Sequence, residues 1–136
     1  MRPKSRRTRG VKLLDVITAR HVCLELNEML FAELNARHLT LDDVSGGDQE
    51  EARRLALSMP STRVMIELKI RYHRNAGHRW TTNDLRDIEA LALAVPYCDI
   101  VFTDRAARNN LAHAKLDQMM GTSMPSTTTE LVEMLV

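Results

Sequence analysis

The sequence predicts an α/β domain with a short parallel sheet and an unusually helical amino-terminal half. Three observations carry that expectation. Residues 99–104 read Asp-Ile-Val-Phe-Thr-Asp, a run of β-prone apolar side chains between two acids, which is how a short strand buried on both faces looks. Residues 82–95 precede it, and their second half is apolar nearly all round, as in a helix buried against a sheet or inside a bundle. The carboxyl-terminal half as a whole then reads helix, strand, helix, short strand, helix with short connections, an α/β rhythm.

Taken in order, residues 11–16 (Val-Lys-Leu-Leu-Asp-Val) fit a short strand or the first turn of a long helix. Leu26, Met29, Leu30 and Leu34 recur at steps of three and four, which predicts a helix over 17–38. Gly46 and Gly47 interrupt regular structure and make 39–49 a loop. Asp48 is placed to cap a helix over 49–59, whose Glu50 and Glu51 sit at the favourable end of the dipole. Pro60 should end that helix, and Ser61 or Thr62 should start the next, over 62–74. Val64, Leu68 and Tyr72 repeat every four, although Val64–Ile70 alone fits strand or helix. After a loop at 75–80, Thr81 or Thr82 caps a helix that reaches about Val95 and stops at Pro96, with Asp84 in its first turn. The strand at 99–104 leads into a helix over Arg105–Met120, closed by Gly121. Residues 122–124 form another short strand, and Thr127 with Glu130 has capping-box spacing for a last helix.

A chain of 136 residues with 44% hydrophobic side chains is large enough for one domain with a core. With two Phe, two Tyr and one Trp, that core is built from Leu, Ala, Val, Ile and Met, and the eight Met suit gap filling or an interface. Net charge is only +1, yet residues 1–10 carry five basic side chains and no acid, a basic disordered tail without the apolar stretch of a secretory signal. No apolar run approaches a membrane span. Cys23 and Cys98 stand far apart in apolar contexts, which predicts two buried free thiols and a cytoplasmic setting. Walker loops, dinucleotide glycine motifs, CxxC and HExxH spacings and nucleophile constellations are all missing.

The chemistry-bearing residues are Asp84, Asp87, Asp99 and Asp104. Asp84 and Asp87 are three apart and share a helix face, and Asp104 would approach from a strand end. Such oxygens suit Mg2+ or Mn2+, which would activate water and stabilise phosphoryl charge. Each acid has a local alternative, as a helix cap or a first-turn charge. Asp99 lies about 16 Å from Asp104 along an extended strand and is read as structural. Thr103 and Arg105 stand at the same edge as Asp104. Residues 71–80 combine Arg71 and Arg74 with Tyr72 and Trp80 in a basic stretch able to contact RNA by charge and stacking, or simply to form a basic lip.

Residues 80–136 resemble the carboxyl-terminal half of PIN-domain proteins. The resemblance rests on Asn83-Asp84 at a helix start, Ala90-Leu91-Ala92-Leu93-Ala94, the run Ile100-Val101-Phe102 and Thr103-Asp104 at its end. An uncharacterised bacterial PIN-like subset looks nearest, through Pro96-Tyr97-Cys98-Asp99. It implies a PIN-like three-layer fold over residues 11–136, either with Asp15 on a short first strand or lacking part of that strand. It also implies a metal-dependent endoribonuclease hydrolysing RNA phosphodiesters, with Asp84, Asp104 and Asp87 as catalytic residues, Asp15 as a further Mg2+ or Mn2+ ligand, and a protein partner such as an antitoxin. Glu67 and Glu28 are further candidates for the acidic cluster. The alternatives are a non-catalytic PIN-like module binding protein or RNA, and a helical domain that dimerises through residues 12–38 and 49–75.

Overall fold

Regular structure among the described residues is helical throughout. The computed structural model describes residues 9–136, and no β-strand occurs among them. The chain divides into two compact units, one ending at Ala56 and the other covering Leu57–Val136.

In the amino-terminal unit the segment Val11–Val16 joins helix α1 (Arg9–Arg20) and is not a strand. A single wide turn of π-helix, His21–Glu25, separates α1 from α2 (Asn27–Ala36), and the Leu26 N–H donates to the His21 carbonyl five residues back at 3.1 Å. The buried His21 ring meets Glu25 within this turn, Nδ1 to Oε2 at 2.7 Å. The expected loop contains a short helix α3 (Leu41–Ser45), started by a reciprocal Thr40–Asp43 capping box and stopped at Gly46, where φ is +66°. Helix α4 (Gln49–Ser58) follows, with the Asp48 carboxylate accepting from the Glu50 N–H at 3.2 Å as its capping position anticipates.

The carboxyl-terminal unit is organised around α5 (Pro60–Arg74) and α6 (Thr82–Tyr97). Pro60 begins α5 rather than merely ending α4, because a first-turn N–H has no helical partner to lose. Val64 and Leu68 of α5 share a core with Ile88, Leu91, Ala92 and Val95 of α6. Ala107 and Leu111 of α7 (Arg105–His113), Leu116 of α8 (Leu116–Met120) and Val101 complete it. The single long helix expected over 105–120 breaks at Lys115, which takes φ = +56°. Helix α9 (Thr128–Leu135) is capped by Thr127, with the Glu130 N–H 3.2 Å from its hydroxyl.

The expected α/β, PIN-like fold is therefore corrected. Residues 99–101 and 123 make one isolated parallel bridge, with the Ser123 N–H on the Asp99 carbonyl at 2.8 Å and the Val101 N–H on the Ser123 carbonyl at 2.9 Å. The alignment is parallel, as a sheet would require, but no third segment extends it among the described residues. Of the three apolar residues expected inside, only Val101 is buried; Phe102 is 47% exposed. The other β-compatible runs, 11–16 and 64–70, have gone into helices. Cys98, expected to be buried, is an exposed free thiol, and the Cys23 side chain and residues 1–8 lie outside the described residues.

Two truncations separate this arrangement from a sheet. Leu68→Ala should cost about 2–5 kcal/mol in urea unfolding, as expected of a fully buried leucine. Phe102→Ala should cost less than about 1.5 kcal/mol, whereas burial in a central strand would put it at roughly 3–5 kcal/mol.

Candidate functional site

The turn between α5 and α6 gathers most of the chemically capable side chains. Tyr72, one turn beyond Leu68, stacks at a tilt against His78 with ring centroids 4.6 Å apart, and against Trp80 at 5.7 Å. Trp80 also leans on His73 at 4.9 Å and meets His78 edge-on at 5.6 Å. Contacts of this kind hold rings in fixed orientations.

Asp84 closes this turn. Its Oδ2 accepts from the Thr81 N–H at 2.6 Å and the Thr81 hydroxyl at 2.9 Å, while its own N–H donates to Thr81 Oγ1 at 3.2 Å. That is a reciprocal capping box with Asp in the place usual for Glu or Gln. The backbone N–H of Thr81 is the main cause holding the Asp84 carboxyl below its ordinary 3.8, and the Thr81 hydroxyl and His78 add to it against a desolvation penalty. His78 Nε2 lies 3.2 Å from the same Oδ2, near enough for an ion pair when the ring is protonated. The direction is not that of a hydrogen bond, so Nε2 is shielded from water without a directed partner.

Asp104 performs the same task at the next helix, its Oδ1 accepting from the Ala107 N–H at 2.9 Å to start α7. Asp87 is exposed on α6. These three acids do share a neighbour. Burial raises the Tyr72 phenol above its ordinary 10.0, and the charges of Asp104, Asp84 and Asp87 raise it further, in that order.

Proximity to one phenol is not convergence on one ion. Among the described residues no group of three or more His, Cys, Asp or Glu side chains is placed to hold a metal. The ribonuclease assignment is accordingly corrected: the sheet edge that would converge these acids does not form, and Asp84 and Asp104 are engaged at two separate helix starts. Asp15, the candidate first-strand ligand, lies within α1 in the amino-terminal unit and pairs with Arg53, Oδ1 to Nη1 at 3.6 Å. Glu28 is in the first turn of α2 and Glu67 is half-buried on α5. Asp99 contributes its backbone carbonyl to the bridge. Thr103 is half-buried ahead of the α7 cap, and Arg105 is exposed on the first turn of α7. Arg71 and Arg74 occupy the last turn of α5, where the helix dipole favours cations.

Sequence reasoning placed Tyr72 and Trp80 in one basic stretch but did not join them to His73, His78 and Asp84. The available signal was the spacing Thr81-x-x-Asp84 directly after four ring-bearing residues within 72–80. No protein-family model, curated protein or solved structure matches the chain.

Two outcomes test the electrostatics. A carboxyl held below 3.8 contributes stability above that value and loses it as pH falls through the folded-state value. The stability gap between wild type and Asp84→Asn should therefore be constant near neutrality and close in acid, read from urea midpoints against pH, while Thr81→Ala should cost about 0.5–2 kcal/mol. Tyr72 has the opposite sign: the fold loses stability as pH rises past 10.0 through the raised value. Asp104→Asn should lower the pH at which Tyr72 ionises, followed by tyrosinate absorbance.

Proposed function

We propose that this chain is a helical interaction module that pairs with a second copy through its amino-terminal unit. One observation carries the proposal. Among the described side chains of that unit, the buried hydrophobic residues are Ile17, Leu34 and Ala56, while Val16, Leu24, Met29, Phe31, Leu39 and Val44 are exposed.

Single exposed apolar residues are ordinary on protein surfaces. Here they outnumber the buried ones, and two of the largest, Leu24 and Met29, are 71% and 70% exposed. A unit of this length buries a small share of its surface and offsets its ordering entropy with difficulty. Covering a side chain such as Leu24 contributes about 1.5–3 kcal/mol relative to leaving it in water. The carboxyl-terminal unit also exposes apolar residues, Val132, Met134 and Leu135 of α9 among them, but it closes its own core around Val64, Leu68, Ile88, Val95 and Leu111. The helices from α1 to α3 have few buried apolar residues of their own and gain from a partner surface. No helix of the described residues is long and apolar enough to cross a membrane.

Light scattering coupled to size exclusion tests this. The expected result is a dimer that dissociates on dilution, converted to monomer by Leu24→Glu or Met29→Glu with helical circular dichroism retained. Leu93→Glu, at an exposed site in the carboxyl-terminal unit, should leave the mass unchanged. A monomer at every concentration, or a dimer indifferent to both amino-terminal substitutions, refutes the proposal.

A further inference from the structure

We infer that the α5–α6 turn is a stacking platform for single-stranded nucleic acid, with Trp80 taking a base and Arg74 and Arg79 taking flanking phosphates. The inference uses residues of the carboxyl-terminal unit alone and stands whether or not the chain self-associates.

The first support is the way the indole is held. Trp80 rests against His73 at 4.9 Å, Tyr72 at 5.7 Å and His78 at 5.6 Å, yet keeps 38% of its surface exposed. Tyr72 is itself anchored as a partly buried neighbour of the core. The ring that faces solvent is thus oriented before any ligand arrives, which lowers the ordering cost of binding. A base has a π-face whatever its identity, so such a platform accepts sequence broadly.

The second support is charge. Between Glu67 and Asp84 there is no acid, while Lys69, Arg71, Arg74 and Arg79 are basic. Arg74 and Arg79 are exposed and make no ion pair among the described residues. Arg71, in the last turn of α5, adds a further positive charge, with its Nε shielded from water. The acids of the neighbourhood, Asp84, Asp87 and Asp104, act on Tyr72. Two of them, Asp84 and Asp104, are occupied by helix caps.

A duplex hides its base faces in the stack, so an exposed indole is useful only to a single strand. An acidic peptide would satisfy the arginines and leave the indole unused, and this difference is measurable. Trp80 is the only tryptophan, so its fluorescence reports on stacking in the unaltered full chain.

The experiment titrates the protein at low salt with oligo(U), oligo(dT), inorganic polyphosphate and polyglutamate. Saturable quenching by oligo(U) alone assigns RNA, by oligo(dT) alone DNA, and by both a platform indifferent to the sugar; each supports the inference. Read by the anisotropy of a labelled oligonucleotide, since both variants lose the intrinsic signal, Trp80→Ala should weaken affinity roughly 10- to 100-fold and Trp80→Phe should retain most of it. Arg74→Gln and Arg79→Gln should each reduce the slope of log affinity against log salt by about 0.7. Absence of saturable quenching by either oligonucleotide overturns the inference. So does an equal response to polyphosphate or polyglutamate, or a folded Trp80→Ala that binds undiminished. Should Trp80→Ala fail to fold, the wild-type quench and the arginine slopes decide.

Discussion

Val64 and Leu68 of α5, closed against Ile88, Leu91, Ala92 and Val95 of α6, are the contact on which the carboxyl-terminal unit depends. Val64, Leu68, Ile88 and Val95 have almost no exposure, so a slip of one helix along the other would open cavities in close-packed apolar space. The register they impose has a consequence at the turn. Tyr72 follows Leu68 by one helical turn, and Asp84 precedes Ile88 by one. A core that matches Leu68 to Ile88 therefore carries a phenol toward a capping carboxylate. The same core takes in Ala107 and Leu111 of α7, which brings the start of that helix, and with it Asp104, near enough to act on Tyr72. The ring cluster and the acids are neighbours because of where the apolar residues lock.

What those acids do follows from the kind of structure around them. A parallel sheet aligns strand ends and can direct several carboxylates to one point. A set of helices offers separate amino ends instead, each with unsatisfied N–H groups that one carboxylate can answer. Asp43, Asp84 and Glu130 all serve such ends, and each is held below its ordinary pKa by N–H and hydroxyl donors of residues just before it. Thr40–Asp43 and Thr81–Asp84 are the same reciprocal device at two places. Both capping donors of Thr81, its N–H and its hydroxyl, end on one oxygen of Asp84, Oδ2.

Local signals in the sequence were read well where their cause is local. Asp48, Thr81, Gly121 and Thr127 each stand where cap chemistry places them. The Thr40–Asp43 box has the same spacing as Thr81–Asp84, but Gly46 and Gly47 just after it give the stretch the look of a loop. Lys115 breaks the last long helix without glycine or proline, so nothing in its identity announces the left-handed φ. Residues 64–70 show a different limit. Val64, Ile66, Leu68 and Ile70 are buried in alternation, the period of a strand, although they form a helix. Two residues turn a helix by about 200°, so this pattern records a helix buried on two opposite sides. Periodicity alone does not separate that case from a half-buried strand.

The same reasoning explains why the PIN-like pattern misled about fold while marking residues that matter locally. Its parts were an acid in a helix's first turn, an aliphatic helix, a short apolar run and a Thr-Asp pair. Every one has a sufficient cause that needs no sheet. Asp84 completes a capping box, Leu91, Ala92 and Val95 fill a helix–helix core, and Asp104 caps α7. An acid at the end of a strand and an acid at the start of the following helix are one residue meeting one need, so their presence is blind to whether the segment before them pairs. Pairing depends on partners elsewhere in the chain, and here the run 100–102 finds a single residue, Ser123. Two backbone bonds hold that bridge, and only Val101 turns inward to reward it. A strand needs neighbours on its flanks to bury its apolar residues. Where the other β-prone runs have already satisfied their backbones as helices, the pattern persists in the sequence with no sheet to join.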